Sequence, residues 1–138
     1  MKGCYLGCSF TNLEIKNYLK SINANFEILN DKDLFIKVAE YIDDGKTIGW
    51  FSDAMEFGPR ALGNRSIIGD PRNIHMQRIM NEKIKFRESF RPFAPAILEE
   101  DVHNQFELNE KSPYMLLVAK VKKENCLKMS NREKKLFG

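Results

Sequence analysis

The stretch of residues 53–65 constrains the fold most, because it can continue neither a helix nor a strand. Gly58 and Pro59 stand side by side in it, and proline fixes φ and removes a backbone donor. Gly63 permits a positive φ, which suits a turn. Residues 47–51 before the stretch are β-branched and aromatic, and residues 66–69 after it resume an extended pattern. The sequence predicts a buried strand, a long loop and a second extended segment.

Helical signals flank this region. Thr11 and Glu14 have the spacing of a capping box, so a helix is expected from about Leu13 onward. Asp31 or Asp33 is expected to cap a second helix, which Gly45 ends. Further predicted strands cover residues 4–7, 26–29, 96–98 and 114–121, and further predicted helices cover residues 73–84 and 100–106. The expected fold class is α/β or α+β.

Composition fits one globular domain over residues 1–138, since 43% of residues are hydrophobic and 30% are charged. Residues 122–138 are basic and polar without a convincing period, so loose order is expected there. The net charge of +3 is too small to indicate a nucleic-acid or membrane partner. Between Arg60 and Arg91, however, basic residues clearly outnumber acidic ones. An anion would bind in the middle of the chain.

The three cysteines favour neither a zinc site nor a disulfide framework. Their number is odd, they have no C-x-x-C spacing, and His75 and His103 lie far from them in sequence. Reduced thiols in the cytoplasm are expected. The N-terminus does not read as a signal peptide, and no apolar run approaches the length of a membrane span.

Two basic clusters are candidates for anion binding. The first holds Arg60 and Arg65 in the loop, and the second lies in residues 85–95. Arginine presents a planar fork of donors to phosphate and lysine a compact charge, so a mixture suits a phosphate with several oxygens. From the residues alone, a solvated surface turn is the better interpretation. Single-stranded nucleic acid is a third alternative, because aromatic residues interleave with the second cluster.

The motifs taken together resemble a known family, over about residues 5–121. They are G-W-F at 49–51, M-E-F-G-P-R-A-L-G-N-R-S-I at 55–67, D-P-R at 70–72, Asn81, K-F-R-E at 85–88 and F-R-P-F-A-P at 90–95. This series is similar to the C-terminal domain of the nodulation-type and antibiotic-type O-carbamoyltransferases. The resemblance implies a YrdC-like fold, in which helices flank a twisted mixed sheet around a basic cavity.

The resemblance also implies an activity. In the family this domain forms carbamoyl adenylate from carbamoyl phosphate and ATP, the latter with Mg²⁺, and releases pyrophosphate. A separate N-terminal domain of the actin and sugar-kinase type holds iron and passes the carbamoyl group to an acceptor hydroxyl. Lys85 and Arg87 match the family's K-x-R signature and are the expected catalytic residues. The expected substrate-binding or nucleotide-binding residues are Arg60, Arg91, Asn64, Arg65, Ser66 and Glu56.

This chain departs from the family pattern at both ends. No iron-binding N-terminal domain is present in it, and Gly138 precedes the family's D-G-T-x-R and T-S-F-N segments. The fold is therefore expected to be incomplete at the C-terminus, with a partial phosphate site that is inactive alone. The alternative is a non-catalytic docking module that completes a split carbamoyltransferase.

Overall fold

The computed structural model describes the backbone of residues 3–137. The chain divides into two compact units, Met1–Ala94 and Pro95–Gly138, each of which is described by itself. The expectation of a single domain over residues 1–138 stays a prediction. No helix in the described residues combines the length and the apolar character needed to cross a membrane.

Two capped helices open the first unit. Helix α1, Asn12–Ser21, has the predicted capping box: Thr11 Oγ1 accepts from the Glu14 N–H, and the Glu14 carboxylate accepts from the Thr11 N–H at 2.7 Å. Helix α2 spans Asp31–Asp43. Its cap is Asn30, whose Oδ1 accepts from the Asp33 N–H at 3.0 Å, so the prediction of Asp31 or Asp33 was wrong. Asp33 supplies the donor that the preceding side chain caps.

A two-stranded antiparallel sheet follows α2. Strand β1, Ile48–Phe51, pairs with strand β2, Arg65–Ile68. The long loop between them is therefore confirmed. The prediction that β1 is buried was wrong, because the sheet has only these two strands and Phe51 remains 55% exposed. Helices with a small antiparallel sheet make an α+β fold, whereas the larger twisted sheet implied by the resemblance stays a prediction.

Residues 4–8 lie along the start of the loop without forming the predicted strand. The Gly7 N–H donates to the Met55 carbonyl at 2.9 Å, and the Met55 N–H donates to the Cys8 carbonyl at 3.0 Å. A Cβ on Gly7 would come within 2.9 Å of Met55 atoms, so this close approach requires glycine. Residues 26–29, also predicted as a strand, are irregular.

The predicted helix over residues 73–84 exists in a shorter and altered form. Helix α3 covers Met76–Ile79, and a π-helical segment continues it over Met80–Lys85. Phe86, with φ of 50°, then adopts a left-handed conformation and ends the segment. Met76 and Met80 are buried close to Gly69, where a Cβ would lie 2.7 Å from the Met76 sulfur. Gly69 therefore lets these methionines pack directly against the backbone that follows β2.

Helix α2 is tied to the turn after β2 by an arginine. Arg72 Nε donates to the buried Asp70 carboxylate at 2.9 Å, and its terminal nitrogen reaches Asp43 at 2.5 Å. The hydrogen bonds from Arg72 hold the pKa of Asp70 below its ordinary value. The D-P-R motif at residues 70–72 thus anchors the end of α2.

The second unit contains short helices. It has 3₁₀ turns at Glu99–Asp101 and Lys123–Asn125, helix α4 at Val102–Gln105 and helix α5 at Asn131–Phe137. The predicted helix over residues 100–106 is confirmed. The predicted strands over residues 96–98 and 114–121 were wrong, apart from one bridge between Phe106 and Val121. Strand propensity was not enough without a neighbouring strand in the unit. Loose order of residues 122–138 stays a prediction.

The loop between β1 and β2 is organised around the buried carboxylate of Glu56. One oxygen, Oε1, accepts from the backbone N–H groups of Leu62, Asn64 and Arg65 at 2.8, 2.7 and 3.2 Å. Burial would raise the pKa of Glu56, but these hydrogen bonds and its own N–H outweigh burial and place the pKa below its ordinary value. The loop closes on itself through this one side chain.

We expect Glu56→Gln to lower the free energy of unfolding at pH 7 by about 1–3 kcal/mol, because a neutral amide is a weaker acceptor for three half-buried backbone donors. The carboxylate stabilises the fold above the pKa of an unfolded glutamate, about 4.3, and this contribution is lost as pH falls through the lowered folded pKa. The stability gap between the native chain and the variant should therefore shrink in acid. Urea unfolding followed by Trp50 fluorescence, at pH 7 and at lower pH, measures this difference in the free energy of unfolding.

The matched control is Glu40→Gln, which removes an exposed carboxylate from α2. It should change stability by less than about 0.5 kcal/mol. A Glu56→Gln variant as stable as the native chain at pH 7, or a gap that is constant with pH, would contradict this role.

Candidate functional site

The first candidate group lies on the β1–β2 loop. Asn64 is fixed through its side-chain amide, which donates to the Ala54 carbonyl at 2.9 Å, while its N–H is held by Glu56. Ser66 Oγ accepts from the Gly63 N–H at 3.0 Å. Gly63 has φ of 119°, a conformation that other residues adopt at a cost. Glu56, Asn64 and Ser66 thus shape the loop from within.

Arg65 is fully engaged with its own surroundings. Its guanidinium lies over the Phe51 ring, with Cζ 3.5 Å from the ring centroid. One terminal nitrogen donates to the carbonyls of Ser52 and Asn64, and the other donates to that of Asp53 at 3.0 Å. In this structure Arg65 braces the loop, and its assignment to substrate binding stays a prediction.

Arg60 is the open cation of the loop. It lies between the two positive-φ glycines, is exposed, and has no hydrogen-bond or ion-pair partner among the residues the structure describes. A shallow pocket of about 200 Å³ is formed here by Arg60 with the flanking loop residues and Arg65. The loop therefore presents one free guanidinium over a depression large enough for a phosphate.

The second candidate group is assembled around Asn81, in the π-helical segment. Asn81 is completely buried. Its Nδ2 donates to the Ser89 and Arg91 carbonyls at 3.1 and 2.8 Å, and its Oδ1 accepts from Arg87 Nε at 2.7 Å. The Arg87 N–H also returns to the Asn81 carbonyl at 3.0 Å. One side chain therefore holds the backbone and the first arginine of residues 87–91.

The three cations of this group differ in freedom. Arg87 is half-buried, with Nε occupied by Asn81 and its guanidinium 4.9 Å from the Phe93 ring centroid. Arg91 pairs with Glu88 at 3.0 Å; hydrogen bonds from the Glu88 N–H and from Arg91 lower the pKa of Glu88. Lys85 is exposed and has no hydrogen-bond or ion-pair partner within residues 3–137. Lys85 and the terminal nitrogens of Arg87 are thus available to an anion.

The two groups are separate in their bonding. Across the described part of the first unit, no hydrogen bond, ion pair or ring contact joins the loop group to residues 85–93. Each of the eight predicted site residues therefore belongs to one of two locally built groups. That both groups line one pocket stays a prediction.

Sequence reasoning quoted Asn81 among the family motifs without giving it a role, and it gave Phe93 a part only in the nucleic-acid alternative. The apolar residues of the predicted 73–84 helix would ordinarily face the core, yet Ile74 is 87% exposed and Asn81 takes an interior place. The wider π-helical turn moves side chains away from their α-helical direction, which periodicity does not anticipate. Two signals pointed to Asn81: its place among the family motifs, and its being a polar residue between apolar positions of a predicted helix.

No cluster of three or more His, Cys, Asp or Glu side chains suited to a metal is found in the described residues. Three carboxylates of the first unit are committed otherwise: Glu56 to backbone donors, Asp70 to Arg72 and Glu88 to Arg91. These three do not fit a resident Mg²⁺ or iron site.

The chain is similar in sequence to parts of longer known proteins. The chain is 56% identical over its whole length to an uncharacterised protein of Synechocystis sp., of which it covers 23%. It is 42% identical over 82% of its length to nodulation protein NolNO of Sinorhizobium fredii, covering 17% of that protein. It is 37% identical over 61% of its length to the 3'-hydroxymethylcephem-O-carbamoyltransferase of Amycolatopsis lactamdurans, covering 16% of that enzyme. The chain thus spans less than a quarter of these relatives.

A family model described as carbamoyltransferase C-terminus matches residues 39–133. The match includes the β1–β2 loop, the π-helical segment and both basic groups. The chain therefore belongs to the carbamoyltransferase C-terminus family.

Proposed function

We propose that this chain supplies the phosphate-binding part of an O-carbamoyltransferase, the part at which carbamoyl phosphate and ATP give carbamoyl adenylate. The observation that carries the proposal is that cationic groups available to an anion lie on a loop and a turn that buried hydrogen bonds hold in place. Arg60 projects from a loop closed by Glu56, and Lys85 and Arg87 flank a turn held by Asn81. Because the loop and the turn that carry these cations are fixed before the ligand arrives, little reorganisation is needed when charge develops on it.

The chemistry needs charge neutralisation rather than a protein nucleophile. Carbamoyl phosphate gives carbamate and phosphate with one water, and a carbamate oxygen then attacks the α-phosphorus of ATP. The bond to the departing pyrophosphate breaks as the new bond forms. Negative charge grows on pyrophosphate, which the terminal nitrogens of Arg87 and the ammonium of Lys85 would stabilise. Arg60 and Arg91 would bind the remaining phosphate oxygens.

The rest of the proposed enzyme lies outside this chain. We infer a YrdC-like arrangement in the intact protein, with Mg²⁺ entering on ATP and iron in a separate N-terminal domain of the actin and sugar-kinase type. That domain would carry out transfer to the acceptor hydroxyl. The three cysteines are free thiols, which suits the cytoplasmic location proposed for the enzyme.

Titration calorimetry of the 138-residue chain with carbamoyl phosphate, ATP and pyrophosphate tests the retained site. We expect Lys85→Ala and Arg60→Ala each to weaken pyrophosphate binding roughly 10- to 100-fold, because each removes a charged donor. Lys20→Ala, an exposed lysine at the end of α1, should bind as the native chain does. Far-ultraviolet circular dichroism of each variant verifies folding.

The outcomes separate the two basic groups. A folded native chain that binds none of the three ligands at millimolar concentration would overturn the retained site. If Lys85→Ala loses pyrophosphate binding while Arg60→Ala keeps full affinity for pyrophosphate, the loop group belongs to another surface.

A second candidate function is docking to the remainder of a carbamoyltransferase, and the exposed apolar surface favours it. Cys4, Met76 and Met80 are the buried hydrophobic residues of the described chain, while Val118 is 99% and Phe86 84% exposed. The chain exposes 12013 Å². Two separate compact units of about 11 and 5 kDa would together expose about 8,800 Å². Large apolar side chains that stay this exposed are typical of an interaction surface.

We expect the chain to form a one-to-one complex with the separately produced remainder of the Synechocystis sp. relative, detected by size-exclusion chromatography with light scattering. Val118→Asp and Phe57→Asp should weaken the complex at least tenfold, because each places a charge on an exposed apolar position. Lys20→Ala is again the control. A clean monomer that binds nucleotide and ignores the remainder would contradict docking and leave the phosphate site standing.

A further inference from the structure

Asn81 is the one side chain of the described residues that is both large and fully buried, at 0% exposure. An amide is costly to bury unless its donors and acceptor are satisfied. Here the amide nitrogen donates hydrogen bonds to the main-chain carbonyls of Ser89 and Arg91, and the amide oxygen accepts one from Arg87 Nε. The environment is therefore built to receive an asparagine.

The bond to Nε restricts how Arg87 can meet an anion. A guanidinium can grip an anion either side-on, through Nε and one terminal nitrogen, or end-on, through its two terminal nitrogens. Asn81 Oδ1 occupies Nε at 2.7 Å, and Phe93 lies near the guanidinium at 4.9 Å. The end-on pair is the edge of Arg87 that remains for an anion.

The backbone also helps to fix which edge of the Arg87 guanidinium is available to an anion. Phe86 in its left-handed conformation reverses the chain directly after the π-helical segment, and the Arg87 N–H then returns to the Asn81 carbonyl at 3.0 Å. An apolar side chain at position 81 would free Nε and leave two carbonyls without their amide donor. Both the direction and the available edge of Arg87 depend on this amide.

We propose that Asn81 is a positioning residue of the phosphate site: it fixes Arg87 so that a phosphate or pyrophosphate oxygen pair binds end-on to the two terminal nitrogens. This inference rests on the proposed function, because it names the support of the same site. It adds which edge of the arginine binds and which residue selects that edge.

Nitrogen-15 NMR of the native chain tests the edge directly, with pyrophosphate as the probe. Titration should move the terminal nitrogen resonances of Arg87, while the Nε–H resonance stays near its starting position because Asn81 already holds it. An Nε–H shift as large as that of the terminal nitrogens would overturn the proposal. This measurement requires no variant to fold.

A double-mutant cycle on pyrophosphate affinity tests the dependence on Asn81. Asn81→Ala should weaken binding roughly tenfold in the native background and by less than twofold in an Arg87→Ala background, because its effect passes through that arginine. Equal losses in the two backgrounds would reveal a general structural effect and overturn the proposal. Asn17→Ala, an exposed asparagine on α1, is the matched control.

The failures are distinguishable. If the native chain binds no pyrophosphate, the proposed function fails. If Arg87→Ala weakens binding and Asn81→Ala does not, the site stands and the positioning role fails.

If Asn81→Ala does not fold, Asn81→Asp is tested in its place. The carboxylate of Asn81→Asp still accepts a hydrogen bond from Arg87 Nε, but its negative charge competes with the anion, so the affinity for pyrophosphate should fall at least tenfold. Unchanged affinity in that variant would overturn the proposal.

Discussion

The three backbone donors that converge on one oxygen of Glu56 are the interaction on which the first unit depends. They close the long connection between β1 and β2, so two strands can pair although thirteen residues separate Phe51 from Arg65. A two-stranded sheet is marginal by itself in water. The carboxylate turns the connection into a rigid element, and the arginine that ends it then braces β1 through the Phe51 ring.

The same principle governs the second basic group, with an amide in place of a carboxylate. In both, a buried polar side chain gathers main-chain groups and thereby fixes an arginine whose donors are partly consumed. Arg65 and Arg87 are held, whereas Arg60 and Lys85 stay open. In the proposed phosphate site, the anchored guanidinium groups would define direction and the free cations would adapt to the ligand.

Local signals made much of this fold predictable. The Thr11 capping box, the strand before Gly58-Pro59 and the helix near residue 100 each depend on neighbours in sequence. The 114–121 run failed because a strand needs a partner edge that sequence does not reveal. The role of Asn81 was missed because its partners, Ser89, Arg91 and Arg87, reach it through the chain reversal at Phe86, which helical periodicity does not reveal. The resemblance predicted the site residues, but only the structure shows which of their donor nitrogens are already occupied.

In the π-helical segment, the number of residues, rather than their identity, determines the direction of the side chains that follow. A π-helical turn closes its hydrogen bonds one residue later than an α-helical turn. Removing a single residue between Met80 and Lys85 would restore α-helical geometry and rotate everything after it about the helix axis. Arg87 would then point away from Asn81 even though every side chain of the motif were kept. Such a segment tolerates exchange of its exposed residues far better than insertion or deletion.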